Sequence, residues 1–134
     1  MQRVFEQKGL ARLRHLNSRE KAAISEFVAR LREKYADEVM LVVLFGSKVR
    51  GDFDEESDLD VLVVVQNGDW RFRDEVALAA FDPMLEHDVI IMPLVIDLEH
   101  YQWLQRYRVP LYRNIQAEGV ELWTRTPVLS SASA

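Results

Sequence analysis

The feature that most constrains this chain is a pair of apolar runs, Met40–Phe45 (MLVVLF) and Leu59–Val65 (LDVLVVV), separated by the polar, highly charged stretch GSKVRGDFDEESD. Each run is short and carries β-branched residues, which favours a strand covered on both faces over a helix. Gly46 stops the first, and the turn QNGD ends the second. A sheet with cover on both sides is therefore expected, and helices must supply that cover.

The remaining pattern provides them. Asn17 or Ser18 can cap a helix, with Glu20 placed to close a capping box. Ala23, Phe27, Leu31 and Tyr35 then share a face, so Arg19–Tyr35 reads as an amphipathic helix. The residues before it are compatible with a further short helix. Trp70 to about Glu86 reads as helical, with Pro83 kinking it or opening a new turn. Val89–Ile96, broken by Pro93, reads as a third strand near a sheet edge, because proline cannot donate to a ladder. Asp97 can cap a helix running to about Tyr107, Pro110 can start the next, and Gly119 ends it before VELW adds a last short strand. The fold class expected is α/β or α+β, a small mixed sheet packed by helices.

At 134 residues the chain has room for one substantial core, read as a single domain over residues 1–123 with a frayed tail over 124–134. The hydrophobic share of 49% and charged share of 29% are ordinary for globular proteins and fit disorder or collagen poorly. The absence of cysteine excludes disulfides and thiolate metal sites and suits a reducing compartment, so the cytoplasm is the default location. The N-terminus has no signal-peptide core, and no run approaches the roughly 20 apolar residues of a membrane span, so no membrane association is expected. A net charge of -5 disfavours non-specific nucleic-acid binding, although a localised basic site stays open.

Asp58 and Asp60 carry the chemistry. Alternation on a strand points both to one face, about 7 Å apart at Cα, while Leu59, Val61, Val63 and Val65 point to the other. Two carboxylates at the mouth of an apolar strand repel each other and lose hydration unless a positive group compensates, and a divalent cation does so economically. Mg2+ takes hard oxygen ligands and keeps waters or substrate phosphates in its shell, so two carboxylates plus a triphosphate suit it. At the end of the other run, Gly46 lets the backbone approach a ligand or take positive φ, and the Ser47 hydroxyl and nearby N–H groups can hold phosphate oxygens. Lys48 and Arg50 could add positive charge there; a solvated basic loop is an equal reading of each.

Gly46-Ser47, ten intervening residues and Asp58-Leu59-Asp60 between apolar strands resemble the signature of the nucleotidyltransferase superfamily, whose fold includes the DNA polymerase β catalytic domain. With so little appended, the chain resembles the minimal nucleotidyltransferase (MNT) group over roughly Glu33 to Trp123. The resemblance implies that Gly46 and Ser47 contact nucleotide phosphates and that Asp58 and Asp60 bind one or two Mg2+ ions, with ATP as nucleotide donor. It also implies a third carboxylate on a neighbouring strand, for which Asp88 is the candidate as a further metal ligand or as base for the attacking hydroxyl. Asp97 is its rival, although it reads better as a helix cap.

Ser57 can brace the Asp58 loop or simply make a turn; Asp52, Asp54, Glu55 and Glu56 read as solvated charge. His15, His87 and His100 lack metal-site spacing, and only His87, beside Asp88, invites attention. Tyr101, Trp103, Tyr107 and Tyr112 read as core at helical spacing, but exposure would make them a partner surface.

Three functions follow. The leading one is Mg2+-dependent transfer of AMP from ATP to a hydroxyl, which the resemblance suggests is a tyrosine of a helical HEPN-type toxin, making this chain the antitoxin. The second is a binding subunit that blocks such a partner sterically. The third is transfer to a small molecule of aminoglycoside type in a pocket assembled by a homo-oligomer.

Overall fold

The computed structural model describes residues 13–51 and 58–125. Asp52, Asp54, Glu55, Glu56 and Ser57, the residues before Leu13 and most of the expected tail lie outside the described residues.

A 3-10 turn (Leu13–His15) leads to α1 (Ser18–Tyr35), which begins where the sequence predicts. Asn17 Oδ1 accepts from Glu20 N at 2.8 Å, and Glu20 Oε1 accepts from Asn17 N at 2.8 Å, so the capping box satisfies two orphan donors reciprocally. Four strands follow with helices between them: β1 (Val39–Phe45), α2 (Ser47–Arg50), β2 (Leu59–Val65), α3 (Trp70–Leu78), α4 (Phe81–His87), β3 (Ile91–Asp97), α5 (Leu98–Tyr107), α6 (Pro110–Glu118) and β4 (Val120–Thr124).

The expected helix over 70–86 is two helices. Its break falls at Ala79–Ala80, and Pro83 sits in the first turn of α4, where a missing N–H costs no helical hydrogen bond. Gly119 ends α6 with φ -63°, so the left-handed region is not what demands glycine. A Cβ there would lie 2.5 Å from the Ile115 carbonyl oxygen and 2.7 Å from Val43, so close approach is the reason. β4 runs to Thr124, and Arg125 N donates to Met40 O at 3.0 Å, so pairing reaches two residues into the stretch read as a tail.

The sheet order is β3-β2-β1-β4. β1 pairs antiparallel with β2 and β4, whereas β2 and β3 are parallel, which makes the sheet mixed. Pro93 therefore lies on an edge strand, as its lack of an N–H requires.

Each face of the sheet has its own cover. Leu44, Val61, Val63 and Ile91 pack with Ile24, Phe27 and Leu31 of α1 and Val76 of α3. On the other side Val43, Leu62, Val64 and Ile96 pack with Tyr101 and Leu104 of α5 and Tyr112 and Ile115 of α6. A register shift between Val39 and Leu41 turns Met40 and Leu41 to this second side together. The result is a helix–sheet–helix sandwich whose central strands are buried on both faces, which explains why β1 and β2 are continuous apolar runs. No helix among the described residues is long and apolar enough to cross a membrane.

Candidate active site

β1 and β2 are antiparallel, and Phe45 stands opposite Asp60. That register alone brings the residue after β1 beside the residues that open β2. Gly46 has φ +91°, and a Cβ on it would lie 2.4 Å from Asp60 Oδ2. Glycine is required here twice, for its backbone conformation and for the contact. The backbone then enters α2, with Val49 N and Arg50 N donating to the Gly46 carbonyl at 3.1 and 3.2 Å. Gly51 closes the turn at φ +94°, packed so tightly on His15 that a Cβ would meet its Nε2 at 2.7 Å.

Asp58 and Asp60 are both half-buried and lie on the side of the sheet where Leu62 and Val64 meet α5 and α6. Burial pushes the Asp60 carboxyl above its ordinary value, and the charge of Asp58 pushes it the same way; Arg50 pulls it down without cancelling either. Among the described residues the pair is short of positive charge. Hard oxygen donors on one face, half-open and under-compensated, fit Mg2+ with nucleotide phosphates and water completing its shell.

The two basic residues of the turn part company. Arg50 is exposed, acts on Asp60 and places Nη1 3.3 Å from Glu118 Oε1. Lys48 points the opposite way. It is 3% exposed, and its Nζ lies 2.6 Å from Oε2 of Glu20, itself 6% exposed.

Asp88 is not brought to the pair. It is the left-handed C-cap of α4 (φ 56°), its side chain is 93% exposed, and its carboxylate meets Arg19 at 3.4 Å. β3 begins three residues later, and the β3 residue in register with Asp60 is Met92. Ile90, Met92 and Leu94, which alternate along this edge, are all exposed. Among the described residues no three acidic, histidine or cysteine side chains converge as a metal site. Asp97 is the helix cap that the sequence suggests, accepting from His100 N at 2.8 Å, and it stands at the far end of β3 opposite Val65.

His87 contacts Glu26 at 2.9 Å and belongs to a surface network. The aromatic group divides: Tyr101 and Tyr112 are buried and meet edge to face at 6.0 Å, whereas Trp103 and Tyr107 are half-exposed with ring centroids 5.3 Å apart. Sequence reasoning missed Glu118 behind Arg50 and saw Glu20 only as a helix cap; nothing in linear spacing marks either as a neighbour of the turn.

The nucleotidyltransferase domain family matches residues 24–115, which include the turn, the acid pair and three of the four strands. The chain belongs to this family. As a nucleotidyltransferase it has relatives in Methanocaldococcus jannaschii: MJ0604, named for protein adenylyltransferase activity, is 36% identical over 104 residues, covering 78% of this chain and 98% of that protein. MJ0141, named likewise, is 36% identical over 73 residues, covering 54% of this chain and 74% of its own length. Among solved structures, a toxin–antitoxin crystal structure with AMP-PNP aligns at a TM-score of 0.51 and 21% identity over 80% of this chain and 78% of that one. The MntA–HepT toxin–antitoxin structure aligns at 0.50 and 20% identity over 85% and 80%. These two share the nucleotidyltransferase fold.

Proposed function

We propose that this nucleotidyltransferase transfers AMP from ATP to a hydroxyl of another protein, a tyrosine of a HEPN-type helical partner, and so acts as the antitoxin of a pair. The observation that carries the reading is the under-compensated Asp58–Asp60 pair held against the Gly46–Ser47 turn by the β1–β2 register. The names of the relatives support adenylyl transfer to protein. The toxin–antitoxin neighbours, one of them with AMP-PNP, support the nucleotide and the partner.

In this reading Asp58 and Asp60 supply carboxylate oxygens to Mg2+. Bound there, the ion would offset the triphosphate's charge and stabilise the attacking and leaving oxygens. Gly46, lacking a side chain, lets a phosphate approach the turn, and the Ser47 hydroxyl and N–H donate to its oxygens. Arg50 lends positive charge on the open side. The acceptor oxygen forms a bond to the α-phosphorus as the bond to pyrophosphate breaks, so the protein's own part is positioning and electrostatics. We leave Asp88 to its ion pair with Arg19 and assign the ion to the two aspartates.

A polypeptide acceptor is favoured over a cationic aminoglycoside because the strand beside the acids presents Met92 and Leu94, with Ile90 exposed just before it. The test is incubation with Mg2+, α-labelled ATP and the product of the adjacent gene. AMP covalently on the partner, absent with Asp58→Asn/Asp60→Asn, is the expected result. Tight binding of the partner without label from any of the four nucleotides would overturn it in favour of steric neutralisation.

A further inference from the structure

α2 spans only Ser47–Arg50, far too short to hold its shape alone, and both of its flanking residues are glycines with positive φ. Something outside the turn must therefore fix it. Two side chains point inward: Val49, which joins the core, and Lys48, which ends on Glu20 at 2.6 Å. Glu20 is doubly used. Its Oε1 caps α1 through Asn17 N, while its Oε2 holds the lysine. Three residues before the turn ends, the tether is polar; at the end it is steric, through Gly51 on His15. Both attachments thus come from the stretch between the 3-10 turn and the first turn of α1, a helix anchored in the core by Ile24, Phe27 and Leu31.

Stability does not explain such a pair. Removing two charges from water costs about as much as their attraction returns, and apolar groups of similar size often do as well or better. What an ion pair adds is a defined geometry. It also removes a charge from play: an ammonium swung toward Asp58 and Asp60 would compensate them and compete with a cation, whereas one engaged at 2.6 Å by a carboxylate contributes little net field at a distance.

Resting on the nucleotide reading above, we propose that Glu20 and Lys48 are positioning residues for nucleotide binding. Their buried pair holds the Gly46–Ser47 turn in its phosphate-receiving shape and keeps the lysine off the acid pair. Lys48 is then a strut behind the turn and not a phosphate ligand.

The test uses the whole chain with Glu20→Gln/Lys48→Met. Glutamine keeps an oxygen for the Asn17 cap, and methionine keeps the length of the lysine stem, so packing and capping survive while both charges go. Affinity for AMP-PNP with Mg2+ is measured by calorimetry well below the Tm, beside Tm itself and beside Lys48→Arg, which retains the charge. The expected result is affinity about tenfold weaker in the double variant, the scale typical for groups supporting a ligand-binding shell. Its Tm stays within a few degrees of the parent, and Lys48→Arg binds closer to the parent than the double variant does. A double variant that binds as tightly as the parent overturns the proposal and leaves the pair as packing. A parent chain that binds no AMP-PNP overturns the nucleotide reading itself, a different result from unchanged binding.

Discussion

Two groups of acids in this protein are built in opposite ways. Between α1 and α4, Glu26 lies 2.9 Å from Arg30 and 2.9 Å from His87, and Arg30 also reaches Asp82 at 3.3 Å and Glu86 at 3.6 Å. A hydrogen bond from Glu86, with those from His87 and Arg30, holds the Glu26 carboxyl down to about 2. At the mouth of β2, Asp60 is pushed the other way by burial and by Asp58. One group is satisfied within the fold and joins two helices. The other carries a cost that the described residues do not offset, as sites kept for a ligand commonly do.

The largest effect should come from removing the uncompensated charge. Asp58→Asn/Asp60→Asn is expected to reduce AMP transfer by about a thousandfold or more, the scale on which charge stabilisation at a reacting centre acts. In the protein without ligand the same change should raise Tm by about 2–4 °C, because it relieves repulsion and desolvation. A fall in that Tm would mean that the pair is structural after all, and the contrast with the Glu26 network would collapse.

Gly46→Ala comes next. It forces a side chain onto Asp60 Oδ2 and a non-glycine residue to φ +91°, so destabilisation of about 1–3 kcal/mol is expected, together with weakened binding of AMP-PNP. Denaturant unfolding checks the first and calorimetry the second; a neutral alanine would show that the turn and the acids are less tightly apposed.

Smaller effects belong to the satisfied group. Arg30→Met should lower Tm by a few degrees and leave AMP-PNP affinity unchanged, since the network lies on the opposite cover of the sheet from the acid pair. A loss of nucleotide affinity in that variant would couple the two groups.

The least effect concerns pH. Glu26, with its carboxyl lowered to about 2, contributes stability that is present above about 4.5 and lost as pH falls from there toward 2. Glu86, whose hydrogen bond to Glu26 raises its own value, contributes stability present below its unfolded value and lost as pH rises through the folded one. Glu86→Gln keeps a donor at every pH and should flatten the second loss in a Tm-against-pH profile. An unchanged profile would remove Glu86 from the network.

The strands and their order along the chain were legible because β1 and β2 are buried on both faces and must read as unbroken apolar runs. The Asn17–Glu20 box, the Asp97 cap and the Pro110 start were legible because capping is local chemistry between residues three or four apart. The motif halves at Gly46–Ser47 and Asp58–Asp60 were equally plain.

What the linear pattern could not hold is direction and partnership across distance. Lys48 and Arg50 are two residues apart and chemically alike, yet one turns into the core onto Glu20 and the other faces the acids, a choice set by how α2 lies against β1 and the 3-10 turn. Asp88 precedes an apolar stretch as a strand-borne acid would, but α4 ends on it in a left-handed cap, and the parallel β2–β3 register puts Met92 beside Asp60. By itself the sequence determined which residues form strands, where helices start and which two acids share a face, since these depend on periodicity and neighbours along the chain. Only the tertiary structure decided which of the charged groups meet, because a contact between residues 28 or 32 positions apart depends on packing that no local spacing encodes.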